Sequence, residues 1–430
     1  MRILIDNSSY NLMNHGDFAM LVSTAKKIKE IDPNSDIRIL TDAPAELNKI
    51  IPHAKPVSPK GRKQWQVGWN IIGALHKFFP SKYHNWLEFQ ERKFIIKYPD
   101  FSRRWISRRL SRRGYALSHM HDFLDEVKAA DIVISSGGGF VTDSFLNHAS
   151  SLLQTLALAQ SYGKPTAMFG QGLGPVTDNK LLSWSKFVLP RLERLSLREG
   201  LYSKPFAISI GVPEDKINVT GDDAITMTNS KKPIMLGDAI GINIRIASYS
   251  GMDKNDLAGI KEKLDACNKR IGTQLCGIPI SYNDDDSDMQ SLHYFLSTKM
   301  ASEAESLSTP DKIIEQVKKC RIVVTGSYHG GVFSLSQGVS VVAIVSSDYY
   351  RQKFEGLQSQ FGVGCTIVDR NSSAFHADLE AAIYKSYNAA ESVRVTLLNK
   401  AEEQAMLSEL SYRVFFMRAH VKGNTFQGRY

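Results

Sequence analysis

The residue in this chain best suited to move protons follows a buried strand: "RIVVTGSYHGG" sets His329 in the first turn of a helix. The positive end of a helix favours neutral imidazole, a form that exchanges protons near pH 7. A purely structural histidine is the competing reading of the same position. Beyond it "YYRQKFEG" carries Arg351 and Lys353, and Arg245 closes the run "GINIR". Three cations at strand ends suit a small dianion better than a neutral sugar. With Ser327 and Gly330 beside the histidine they make a candidate anion site.

The earlier half of the chain offers carboxylates and glycines. "TAMFGQGLGP" spaces Gly170, Gly172 and Gly174 as G-x-G-x-G-P. A dinucleotide fingerprint needs G-x-G-x-x-G, so this argues against NAD. Glycine lacks a Cβ, so something approaches the bare backbone there, at Gln171 and Gly172. Gly137, Gly138 and Gly139 either present successive amides to an anion or make a tight strand-to-helix turn. Asp17, Asp143, Glu199 and Asp222 follow strands or open helices, where each taken singly reads first as an N-cap or dipole partner.

These residues need strands to place them. β-branched runs alternate with helical patterns from "RILID" and "DIRILT" through "DIVISS", "PTAMF", "RLSL" and "KINVT". A second series, "AIGINI", "TQLCGIPI", "RIVVTG" and "VSVVAIV", follows the polar stretch "TNSKKP". The alternation predicts an α/β fold: two Rossmann-like domains with parallel sheets and crossover helices, facing a cleft. Residues 1–228 form the first domain and 234–373 the second; a helical pattern over 374–407 heads a C-terminal segment, 374–430. Ligands bind outside the carboxyl ends of such strands, and the motifs above fall there.

A chain of 430 residues, 43% apolar and 23% charged, fits two globular domains. No run reaches 18 apolar residues, and the first residues lack a secretory signal, so a cytoplasmic location is expected. Cys267, Cys276, Cys320 and Cys365 show no paired spacing, and no metal-ligand cluster is visible, so neither a metal nor a disulfide framework is expected.

Charge is concentrated: Lys60 to Arg113 holds 14 Lys/Arg against Glu88, Glu91 and Asp100, and four of the five tryptophans lie between Trp65 and Trp105. Arg104, Arg108 and Arg112 are four apart, so a helix here presents a cationic face. This insertion, at about 60–118, either meets an anionic bilayer at the inner face of the cell membrane or packs on the first domain with its arginines solvated. Nucleic acid is not expected, because the rest of the chain has no basic face.

Taken in order, "NHGD" (Asn14 to Asp17), the GGG turn, "GQGLGP", "SLRE" (with Arg198 and Glu199), "GDDA" (with Asp222), a histidine after "TGS", and "YRQKFEG" resemble the polysaccharide pyruvyl transferase family. The resemblance spans Asn14 to Gly356. It implies a GT-B-like architecture and transfer of the enolpyruvyl group of phosphoenolpyruvate (PEP) to a saccharide, lipid-linked in some members, with PEP as substrate and no cofactor. His329 and Asp17 would then be catalytic, and Arg245, Arg351, Lys353, Ser327 and Gly330 would bind the donor. Asn14, Gly137, Gly138, Gly139, Gln171, Gly172, Arg198, Glu199 and Asp222 would face the acceptor or cleft. Two positions depart from the pattern: Tyr328 precedes the histidine where the family carries arginine nearby, and Asp223 stands where it favours proline. A nucleotide-sugar glycosyltransferase and an inactive saccharide-binding relative are the alternatives.

Overall fold

The computed structural model describes residues 1–67, 80, 83–229, 235–247, 249–283 and 287–427. Parts of the basic insertion (68–79, 81–82) and most of the expected linker (230–234) lie outside the described residues.

Eight strands build the first sheet: β1 (Arg2–Asp6), β2 (Asp36–Leu40), β3 (Lys55–Val57), β4 (Ile132–Ser135), β5 (Gly138–Val141), β6 (Thr166–Leu173), β7 (Arg194–Leu197) and β8 (Ile217–Val219). Their order is β3-β2-β1-β4-β6-β7-β8, with β5 paired to β6. The second sheet, ordered β10-β9-β11-β12-β13, uses β9 (Ala239–Asn243), β10 (Leu275–Gly277), β11 (Cys320–Thr325), β12 (Ser340–Val345) and β13 (Cys365–Asp369). Pairing within both sheets is parallel. Helices cover both faces, which is why β1 and β12 read as continuous apolar runs and not as alternating ones.

The glycine stretch is strand, not turn. β6 runs through Gly170, Gln171, Gly172 and Leu173, all buried, and β5 takes up Gly138 and Gly139 as its neighbour. Short strands β3 and β13 also escaped the sequence reading, because three or five residues without strong alternation carry little signal.

The basic insertion supplies helices Lys60–Val67, His84–Lys97 and Pro99–Ser111. Ser102, Ile106 and Leu110 recur every four residues and are buried, while Arg104, Arg108 and Arg112 lie exposed on the opposite face. Trp65, Ile95 and Ile96 join the first domain's core. Phe94, Tyr98 and Phe101 stay exposed and touch one another, with ring centroids 5.1 and 6.3 Å apart.

The last helix is longer than expected, Phe375–Gln427. Its apolar side enters the second domain's core with Leu379 and Ile383, and the first domain's core with Tyr412, Phe415 and Phe416. Tyr412 stacks on Phe169 of β6 at 3.7 Å. Beside it the buried Lys27 Nζ meets Asp223 Oδ1 at 2.9 Å, and Asp223 also accepts from Ser408 and Tyr412. That network ties the C-terminal helix to the first domain. Among the described residues no helix is long and apolar enough to cross a membrane.

Candidate active site

Carboxyl ends of both sheets converge on a small cavity of about 110 Å³ lined by Asp17, Arg198, Arg245, His329, Lys353 and several tyrosines. The helix His15–Ile31 enters from the first domain, its N-terminus capped by Asn14, which accepts from the Gly16 and Asp17 amides. From the second domain comes the helix Tyr328–Ser336, with Ser327 at its cap position. The two helix starts touch because Gly16 has no side chain: a Cβ there would lie 2.1 Å from the His329 ring. The Asn14 and Ser281 backbones pair across the same boundary.

His329 is 7% exposed, and its Nε2 points at Asp222 Oδ2, 3.7 Å away. Both atoms are buried, and neither has a hydrogen-bond partner among the described residues. Burial raises the Asp222 carboxyl, but His329 and Arg198 outweigh it and hold the group below the usual carboxylate range. The pair sets an imidazole nitrogen against a buried carboxylate at the cavity, an arrangement able to pass a proton.

Arg198 directly follows β7 and lies over the Tyr328 ring, its guanidinium carbon 4.0 Å from the centroid. The glycines of both first-domain motifs make its slot: a Cβ on Gly139 or Gly172 would come within 2.4 and 2.5 Å of guanidinium atoms. What approaches the bare backbone is therefore an arginine side chain. Arg198 makes no side-chain hydrogen bond to the protein among the described residues, and its contact with Asp222 is 4.0 Å long. Lys353 reaches in from the helix Asp348–Phe361 with its Nζ 3.9, 5.3 and 5.8 Å from the rings of Tyr349, Tyr350 and Tyr328. It has no ion pair within 4.0 Å among the described residues. Burial, and then the neighbouring Arg198, push its ammonium well below the usual lysine range. Arg245 is different, since Asp288 holds its guanidinium at 2.5 and 3.0 Å. It forms wall, with its charge already compensated.

A family model for polysaccharide pyruvyl transferase matches residues 14–348, a span that holds all of these cavity groups except Tyr349, Tyr350 and Lys353. The chain belongs to the polysaccharide pyruvyl transferase family. Solved structures agree on the fold. A UDP-GlcNAc 2-epimerase from Neisseria meningitidis bound to UDP-GlcNAc superposes with a TM-score of 0.55 at 11% identity, covering 97% of this chain and 100% of that one. The spinosyn rhamnosyltransferase SpnG gives 0.51 at 11% identity, with coverage of 96% and 99%. No curated protein matches at the sequence level.

Within this pyruvyl transferase family member, several sequence candidates sit elsewhere. Arg351 does not line the cavity: two positions before Lys353, it projects from the other side of the helix and pairs with Asp369 at 2.6 Å. Arg198, expected at the acceptor or cleft, lies in the cavity with Lys353. Glu199 is buried and accepts from the Tyr202 and Ser203 amides, so it caps the helix Ser203–Ser209. Gln171 is buried and donates to the Ser136 and Phe169 carbonyls. Gly137 faces Met20, Gly138 faces Phe140, and Gly330 lets the helix start approach Thr325. Asp143 accepts from the Thr177 and Asp178 amides.

Sequence reasoning missed His148, which lines this cavity beside Phe140. Burial pushes its imidazole down to about 4, and its Nε2 is buried without a hydrogen-bond partner among the described residues. In "SFLNHAS" it lies inside a helix with no motif around it, so nothing local marks it.

Proposed function

We propose that this transferase moves the enolpyruvyl group of PEP onto two hydroxyls of a saccharide as a ketal, with release of phosphate and no cofactor. The observation that carries the reading is the pair Arg198 and Lys353. Both charges line one small cavity, and neither is committed to a short protein ion pair among the described residues. A carboxylate and a phosphate on one small molecule match such a pair.

In the proposed sequence the PEP methylene carbon gains a proton and becomes methyl, leaving positive charge on the central carbon. One acceptor hydroxyl adds there and loses its proton. The C–O bond to phosphate breaks with its electron pair going to phosphate, and the second hydroxyl adds and loses its proton. Two protons leave the hydroxyls; one ends on the methyl group and one on phosphate. His329, backed by Asp222, is the proposed acid. Asp17 is the proposed base for an acceptor hydroxyl: burial raises its carboxyl, partly offset by His329 and Lys353, and a raised pKa makes a stronger base.

Calorimetric titration with PEP, with UDP-glucose as control, tests the donor. Wild type is expected to bind PEP in preference, and Arg198→Gln to weaken it by about tenfold or more. The sign of the pH dependence follows from Lys353: its charged form binds the anion, so affinity falls as pH rises through its lowered pKa. That slope disappears in Lys353→Gln. Preference for UDP-glucose would move the protein to the glycosyltransferases.

The proposed acceptor is lipid-linked or cell-surface saccharide, met at the cytoplasmic face of an anionic membrane. The support is the exposed Phe94, Tyr98 and Phe101 corner beside the Arg104, Arg108 and Arg112 face. Changing those three arginines to serine is expected to weaken sedimentation with phosphatidylserine vesicles about a hundredfold. Equal sedimentation of variant and wild type defeats the membrane proposal.

A further inference from the structure

A second cavity, about 620 Å³, opens between the basic insertion and the first domain. Its volume lies within the range of small-molecule sites and is several times that of the donor cavity. Lys60, Arg62, Lys63, Arg92 and Lys180 line it, against Asp42 and Glu88.

Pairing accounts for only part of that charge. Arg62 is held by Asp6 at 2.8 Å, and Lys180 by Glu88 at 2.8 Å. Lys60, Lys63 and Arg92 have no ion pair within 4.0 Å among the described residues. Arg92 is the most telling of them: Glu88 and Glu91 lie near enough to favour its charge, yet its Nη1 is buried and finds no hydrogen-bond acceptor among the described residues. Leaving a guanidinium N–H dry and unpaired is costly, and a bound anion would remove that cost. Trp184, Phe89 and Tyr10 supply flat apolar wall between the charges.

The two cavities share one residue, His148, which lines both. Its ring is held between Tyr10 and Phe140, with centroids 5.3 and 5.0 Å away. A neutral imidazole with a bare Nε2 accepts a hydrogen bond from a hydroxyl passing from the large cavity to the small one.

We propose that the large cavity is the acceptor site and selects a saccharide bearing a negatively charged group, with Arg92 and Lys63 meeting the charge and His148 positioning the reacting end. The word acceptor rests on the pyruvyl-transfer reading; the selection for an anionic saccharide does not. An electrically neutral sugar would leave Arg92 unpaired, and a ligand lacking the sugar would leave the aromatic wall bare.

The test is calorimetric titration of the full chain with glucose 1-phosphate and with glucose. Wild type is expected to bind glucose 1-phosphate about tenfold or more tightly than glucose. That preference should fall about tenfold in Arg92→Gln/Lys63→Gln and persist in Arg198→Gln, which removes the Arg198 guanidinium from the donor cavity. Lys63 is exposed, so Lys63→Gln alone keeps the test valid should the double variant fail to fold, with a smaller loss of the same sign. Absence of preference in wild type, its survival in the cavity variants, or its disappearance in Arg198→Gln each overturns the proposal. PEP titrated in the same series separates the two readings. Failure of PEP to bind wild type, with the glucose 1-phosphate pattern intact, defeats pyruvyl transfer and leaves an anionic-saccharide site standing.

Discussion

His329→Ala is expected to lower turnover by about 10²- to 10⁴-fold while PEP affinity stays within about tenfold. The separation follows from geometry. In the proposed reading donor charge is met by Arg198 and Lys353, which approach from the end of β7 and from the helix Asp348–Phe361, whereas His329 comes from the helix Tyr328–Ser336 and faces Asp222. Removing the imidazole leaves the anion ligands in place and deletes the proton. Asp222→Asn should reproduce part of the loss, since a neutral amide then replaces the carboxylate that faces the imidazole. Steady-state and single-turnover rates with PEP and an accepted saccharide read both effects. Near-normal turnover in His329→Ala would remove the histidine from the chemistry. A matching collapse of PEP affinity would make it a structural or donor-binding residue instead.

Lys27→Met is expected to destabilise the first domain by about 3–5 kcal/mol, because it leaves Asp223 buried among Ser408, Tyr412 and apolar neighbours without its cation. Lys27 is 2% exposed and Asp223 is fully buried, so water does not screen the loss. A double variant, Lys27→Met/Asp223→Leu, should recover much of the stability, since replacing both members of a buried pair by apolar groups is often neutral. Urea unfolding measures the energies. Limited proteolysis supplies a readout specific to this network: loss of the clamp should expose the helix Phe375–Gln427 near Ser408 to cleavage. Similar midpoints and cleavage patterns in Lys27→Met and wild type would show that the helix is held by its apolar face alone.

The pair of adjacent aspartates illustrates how little of this was local. In "GDDA" the two carboxylates are chemically alike and one residue apart. Backbone direction sends Asp222 to His329 and Asp223 to Lys27, so one serves the cavity and the other a structural clamp. Tyr328, which departs from the family's arginine, stacks under Arg198. The guanidinium over Tyr328 thus arrives from the other domain, 130 positions earlier in the chain.

What the sequence determined by itself was the repeating part. Runs of β-branched residues separated by amphipathic helices specify parallel strands, because a strand buried on both faces must be apolar throughout and its return helix must cross over it. The rule that loops at the carboxyl ends carry ligands then placed His329, Asp17 and Lys353 in one region before any coordinates. Tertiary structure alone decided which side chains turn inward. Arg351 and Lys353 differ by two positions on one helix, about 200° of rotation, so one pairs with Asp369 outside while the other enters the tyrosine cage. Arg198 stood in the chain as a residue of the acceptor or cleft, but its slot against Gly139 and Gly172 was decided by the packing of β5 and β6, and His148 became visible only when the insertion packed beside it, since close approach of distant segments leaves no period or spacing in the chain.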